Sequence, residues 1–364
     1  LLYKATDVIG DFFMLSTRTA LRLWLTLSLG AALTTAVIAD GAAAPNMEVT
    51  QHWKLGGAGG WDYLTVDSAK KRLFISRATR VDVVSLETGK LIGSIPDTQG
   101  VHGIALAPAL NRGFTSNGRS NSVTAFDLDT LKVIQEAKVS GRNPDAILYE
   151  PSGKHVFTFN GASKDVTVLD ASSLAVVATI PVPDKPEFAA RDGRGQIFVN
   201  IESDPGQMVV IDTQKLSVKS TWPLPGCNSP SGLAIDSAHR RLFSVCDGKV
   251  MAITDAISGK QAALVPIGEH PDAAAYDKKR AVVFSSNGEG TLSVVHQDSA
   301  DHYAVVQTLE TQRGARTMAL DDATGKVYLV TGDFGPAPPA TAEQPHPRPA
   351  LLPDTFVVLV VGEH

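Results

Sequence analysis

A ring of seven four-stranded blades, the all-β fold of a seven-bladed β-propeller, is predicted by three observations. An aromatic residue recurs seven times at intervals of 40 to 45 residues. Each recurrence sits within short strands of alternating polarity separated by Gly, Asn, Asp and Ser turns. The last set of strands is one short, and an orphan strand precedes the first set.

The aromatic series runs Phe74, Phe114, Phe157, Phe198, Phe243, Phe284 and Tyr328. Short apolar stretches precede it, as at Tyr63–Asp67, Ile104–Pro108, Leu233–Asp236 and Met318–Asp321. Alternating strands closed by Asp follow it, at Val123–Asp127, Val166–Asp170 and Met208–Asp212, and a fourth strand ends near Pro or Gly, as in Ala178–Pro181 and Leu264–Gly268. Four short strands per unit of this length form a twisted sheet that covers both faces only by stacking between neighbours. The recurrent aromatic is therefore expected in the core between blades. The seventh unit supplies only Thr317–Asp321, Lys326–Thr331 and Thr355–Val361, so Glu48–Leu55 is expected to complete it and leave no open edge.

The start of the chain reads as a secretory leader. From Met14, Arg18 and Arg22 precede an apolar run from Leu23 to Ala36, with a small-residue cleavage pattern ending at Ala39. Residues 1–39 are thus expected to be upstream extension and signal peptide, and residues 40–364 one propeller, periplasmic or secreted, with no membrane span in the mature chain. A net charge of -5 argues against nucleic acid as partner, and a monomer is expected. Cys227 and Cys246 leave two readings open. One is a disulfide closing a 19-residue loop, worth roughly 3 kcal/mol, and the other is two separate buried thiols.

The unit, with Val123–Thr130 and Asp165–Asp170 as its clearest copies, resembles the bacterial YVTN-type β-propeller repeat over nearly all of the mature chain. That resemblance implies the fold. It also implies a broad group that includes surface-layer proteins, periplasmic binding proteins and seven-bladed lactonases.

In such a ring, the loop leading into each innermost strand faces the mouth of the central channel. Those loops read Trp61-Asp62, His102-Gly103, Pro144-Asp145, Pro186-Glu187, Pro230-Ser231, Pro271-Asp272 and Arg316-Thr317. Four carry a carboxylate in the second place, and His102, His270 and Arg316 add polar heads. Loops expected on the same face carry Arg77, Arg80, Asn117, Asn160, Glu202, Asp204, Asp247 and Asn287. Carboxylates with amide oxygens nearby suit a hard divalent cation, calcium first, with Asp62, Asp145, Glu187 and Asp272 as ligands. Such an ion assists lactone or ester hydrolysis, for which Asp145, Glu187, Asp272, His102 and Arg316 are the catalytic candidates. Pro-Asp also forms turns, which leaves a non-catalytic propeller binding a small molecule or a protein at the mouth as the alternative.

A proline-rich insert at 332–353 interrupts the last unit and is expected to overhang the mouth, with His346 and Arg348 its notable side chains. The sequence lacks G-x-S-x-G, P-loop, H-E-x-x-H and C-x-x-C motifs, so neither nucleotide nor haem is indicated.

Overall fold

The computed structural model describes residues 45–339, 341, 347 and 349–364. The expected leader, His346 and Arg348 lie outside them. Among the described residues, strands form seven antiparallel four-stranded sheets with one short 3-10 turn at Pro108–Leu110. Blade 1, for example, runs Leu64–Asp67, Arg72–Arg77, Arg80–Ser85 and Leu91–Ile95 from the channel outward. Innermost strands of successive blades touch all the way round, and Leu64–Asp67 of blade 1 also meets Met318–Asp321 of blade 7. The ring is closed.

Closure uses the orphan strand, as expected. Met47–Lys54 pairs antiparallel with Val357–Glu363, from Met47 opposite Glu363 to Lys54 opposite Val357, with a one-residue bulge between Val49 and Gln51. It is the outer strand of blade 7, whose order is Met47–Lys54, Val357–Glu363, Lys326–Thr331, Met318–Asp321. The two ends of the propeller are thus held by backbone hydrogen bonds, and the seam presents no unpaired edge.

Seven apolar clusters fill the gaps between blades, one per gap. Phe74 packs with Ile104 and Phe126 across the first, Phe114 with Val156 and Leu169 across the second, and Phe157 with Ile197 and Val209 across the third. The series continues with Phe198 on Leu242, Phe243 on Val283 and Phe284 on Val327, and Tyr328 on Leu73 completes the ring. The six phenylalanines are fully buried and Tyr328 is 2% exposed. Cys227 and Cys246 form a disulfide with Cα atoms 5.3 Å apart, which settles the two readings left open above. It ties the segment between blades 4 and 5 to the second strand of blade 5.

Each aromatic serves one interface, and its loss leaves a cavity that neither flanking sheet can close alone. Phe284→Ala is expected to cost about 3–5 kcal/mol, read as a lower urea midpoint. An unchanged midpoint would remove the aromatic series from the core.

Candidate functional site at the channel mouth

Strand pairing fixes which residue of each blade reaches the channel. The residue after each aromatic pairs with Leu64, Ile104, Ile147, Ala189, Leu233, Ala274 or Met318 of its inner strand. Two residues upstream of these lie Asp62, His102, Asp145, Glu187, Ser231, Asp272 and Arg316. The sequence register therefore needs correction in blades 2 and 7. His102 and Arg316 belong in the second place with the carboxylates, behind Val101 and Ala315 rather than in the proline position. Six blades thus place an ionisable group there, and blade 5 places a hydroxyl.

These seven side chains line one cavity of about 210 Å³, joined by Tyr63, Lys185, Phe188 and neighbours. At ~30 Å³ per water this is room for about seven waters or a small organic group. Close approach of the inner strands follows from the third place, where four blades carry Gly103, Ala146, Gly232 and Ala273. A Cβ on Gly103 would lie 2.8 Å from Ile147 Cγ2, and one on Gly232 would lie 2.6 Å from the Asp272 carbonyl oxygen. Buried polar groups then pin the second place. Ser116 donates to the Asp145 carbonyl, Ser286 to the Arg316 carbonyl, and Asn200 Nδ2 to the Ser231 carbonyl at 2.8 Å. Each of these bonds crosses from one blade to the next.

Tyr63 and Phe188, from blades 1 and 4, fill the third place with aromatic rings. They stack with centroids 5.2 Å apart and planes at 24°, joining opposite sides of the ring within the same cavity. Burial, then the charges of Asp145, Glu187, Asp62 and Asp272, hold the Tyr63 phenol protonated well beyond its ordinary range.

The carboxylates are partnered within the site. His102 Nδ1 lies 2.6 Å from Asp62 Oδ2 and 3.7 Å from Asp145 Oδ1. Lys185 bridges Glu187, at 2.7 Å, and Glu202. Arg316 Nε is 3.6 Å from Asp272 Oδ2, and Ser231 Oγ is within 3.3 Å of Asp272 Oδ1. Burial pushes Asp145 up to about 6, against the pull of His102, with the Asp62 charge adding to the rise. Burial and the Asp145 charge push Glu187 up to about 8. Asp272 is raised mainly by burial. Burial works against the charge of His102, but the Asp62 hydrogen bond and the charges of Asp145, Asp62 and Glu187 outweigh it and lift the imidazole to about 9.

Other candidates fall elsewhere. Asn117, Asn160 and Asn287 are fully buried within their own sheets. Asn117 Nδ2 donates to Ser122 and Thr124, Asn160 to Asp165 and Thr167, and Asn287 to Thr291 and Ser293. Their oxygens accept from Thr115, Thr158 and Ser285, so the expected amide donors are committed to strand cohesion. Arg77 is buried with its guanidinium 3.6 Å from the centroid of Phe356. Arg80 pairs with Asp82, and Asp204 and Asp247 are exposed. His270 lines a neighbouring groove instead of the ring. Lys185, Tyr63 and Phe188 were not among the candidates. Lys185 precedes the Pro-Glu signal, and the aromatic pair is separated by three blades.

Fold and site together define a β-propeller with a polar, internally paired channel mouth. Hydrazine synthase from Kuenenia stuttgartiensis superposes on the chain with a TM-score of 0.65 at 18% identity, covering 76% of this chain and 93% of that one. At that identity the likeness is one of fold. No family model matches the sequence, and no match is found among curated proteins. Among the described residues no helix is long and apolar enough to cross a membrane.

The raised groups give a signed pH dependence. For His102, lifted from 6.5 to about 9, the contribution to stability is complete below pH 6.5 and is lost as pH rises through 9. Asp145 and Glu187 also bind protons more tightly in the folded state, so they lower stability in the same direction as pH rises. The thermal midpoint is expected to fall between pH 6.5 and 9, and Asp62→Asn to flatten that fall. A His102 imidazole that titrates near 6.5 by NMR would contradict the ion-paired cluster.

Proposed function

We propose that the channel mouth is a small-molecule site whose chemistry is metal-assisted hydrolysis of an ester or lactone, in a protein acting outside the cytoplasm. One observation carries this reading. A single strand position from all seven blades converges on one cavity, and donor atoms of Asp62, His102 and Asp145 lie within 4.8 Å of one another. The Cys227–Cys246 disulfide is compatible with an oxidising compartment.

The donor set bears on the metal. One imidazole nitrogen and two carboxylates suit borderline zinc, or harder manganese with water completing its shell, whereas calcium takes about six to eight oxygens. The oxygens of Asn117, Asn160 and Asn287 accept from Thr115, Thr158 and Ser285 inside the blades, so they add nothing to an oxygen set for calcium. Such an ion supplies a polarised carbonyl and an acidified water. His102 must give up its proton to serve as a ligand, so affinity rises with pH toward 9. Glu187, still carrying a proton near neutral pH, is suited to general acid and base work. Arg316, about half exposed, is placed to hold an anionic group or a developing oxyanion.

A second reading is favoured by the pairing itself. Each carboxylate of the ring already faces an internal cation: His102 for Asp62 and Asp145, Lys185 for Glu187, Arg316 for Asp272. A site satisfied in this way binds ligands without needing a metal or performing chemistry.

Calorimetric titration with zinc, manganese and calcium, followed by a lactone and ester panel with and without chelator, separates the two. The hydrolase reading expects one zinc or manganese ion taken up with proton release, loss of uptake in His102→Gln, and turnover that chelator removes. Turnover is expected to drop by at least about 100-fold in Glu187→Gln if that residue is the acid or base. No metal uptake and no chelator-sensitive turnover would leave the binding reading in its place.

A further inference from the structure

Beside the mouth lies a larger groove of about 1220 Å³, walled by the glycine-rich segment Gly57–Gly60, the two ends of the proline-rich insert, and loops of blades 6 and 7. Arg316 and Thr317 line both cavities, so the groove borders the polar ring.

Its walls are held by specific contacts. Arg77, fully buried, donates through Nη2 to the carbonyls of Gly57, Ala58 and Gly59 at 3.1–3.3 Å while its guanidinium stacks on Phe356. Asp354 Oδ1 accepts from the Gly57 N–H at 3.1 Å. The ends of the insert pair with each other through Phe334 and Leu351, with Gly335 N–H donating to the Ala350 carbonyl and Leu352 N–H to the Asp333 carbonyl. Trp61 lies against Phe356 at 5.4 Å and Phe334 at 6.2 Å between ring centroids, which gives the groove an aromatic wall.

The charges are unevenly satisfied. Glu269 is paired with Lys249, Glu289 accepts from Thr291, and Asp354 is engaged by Gly57. Arg313 is exposed on the lining and forms no ion pair among the described residues. Its backbone is fixed all the same, because Thr331 Oγ1 donates to the Arg313 carbonyl at 2.7 Å. Arg316, also on the lining, approaches Asp272 at 3.6 Å and forms no other ion pair among the described residues.

We propose that this groove is a second binding site, for an organic anion with a flat apolar body. The body lies along Trp61, Phe334 and Leu351, and the anionic group is held by Arg313 with Arg316 beside it. An apolar wall supplies affinity without direction, and a cation free of an internal partner supplies the direction. Combined with the reading of the mouth, on which this last step rests, the ligand of the ring is the polar end of a longer amphipathic anion that crosses Arg316. The cluster at Asp62, His102 and Asp145 plays no part in holding the body.

The probes are 2-naphthoate and its neutral match 2-naphthamide, titrated into the purified protein by calorimetry and by tryptophan fluorescence. Naphthoate is expected to bind one site about tenfold more tightly than the amide, and Arg313→Gln to bring the two together by weakening naphthoate alone. Phe334→Ala is expected to weaken both, and Asp145→Asn neither. Because Arg313 is exposed, its replacement should leave the thermal midpoint unchanged, which checks that the fold is kept. Equal affinities in the unaltered protein, no saturable binding of either probe, or insensitivity to Arg313→Gln would overturn the site. Loss of naphthoate binding in Asp145→Asn would overturn it too, by moving the ligand into the ring. Since Asp145→Asn strikes the mouth and Arg313→Gln the groove, either reading can fail while the other stands.

Discussion

Everything in this structure depends on the pairing of Met47–Lys54 with Val357–Glu363. A single blade has two apolar faces and can cover neither. Six of the seven inter-blade clusters join blades adjacent in sequence, whereas the cluster of Leu73, Tyr328 and Phe356 joins the first to the last. That interface forms only when the chain ends are brought together, and the shared outer sheet of blade 7 does this. Without it the ring would have an exposed edge and two bare faces, both liabilities for self-association.

Closure also makes the mouth possible. The inner strands can point one residue each at a common axis only if all seven hold the same register and approach closely. Gly103, Ala146, Gly232 and Ala273 permit the approach, and Ser116, Asn200 and Ser286 lock the next blade's carbonyl at the facing position. The same register that buries Phe114, Phe198 and Phe284 therefore orients Asp145, Ser231 and Arg316. Packing and site are two consequences of one strand alignment.

This explains which parts were legible in the sequence. The aromatic series and the missing strand are periodic, and the period states the architecture outright. Asp62, Asp145, Glu187 and Asp272 were legible because three of them follow a proline that marks the place. His102 and Arg316 were found as residues but set one place out of register, because Val101 and Ala315 replace that proline. The asparagines misled for a physical reason. At strand ends near a channel they looked like cation ligands, yet their oxygens accept from the hydroxyls of Thr115, Thr158 and Ser285, and their NH2 groups donate to Thr124, Thr167 and Ser293. The Tyr63–Phe188 stack and the Lys185 bridge had no local signal. The stack depends on blades 1 and 4, which only the closed ring brings opposite one another, whereas the bridge depends on the strand register inside blade 4 that sets Lys185 opposite Glu202.

The mouth carries a cost that the rest of the ring must offset. Gathering the carboxylates of the ring in one partly buried cavity raises Asp145, Glu187 and Asp272 and opposes folding as pH rises. His102, Lys185 and Arg316 reduce that cost without removing it, since Asp145 and Glu187 remain raised beside them. A purely structural solution was open to the same backbone. Blade 5 shows it, with Ser231 in the second place donating to the neighbouring Asp272 carbonyl and leaving no charge to bury. Six blades depart from that solution and all six depart with ionisable groups. Ionisable groups gathered at one strand position, with shifted protonation and a cavity beside them, are what a candidate site is expected to show.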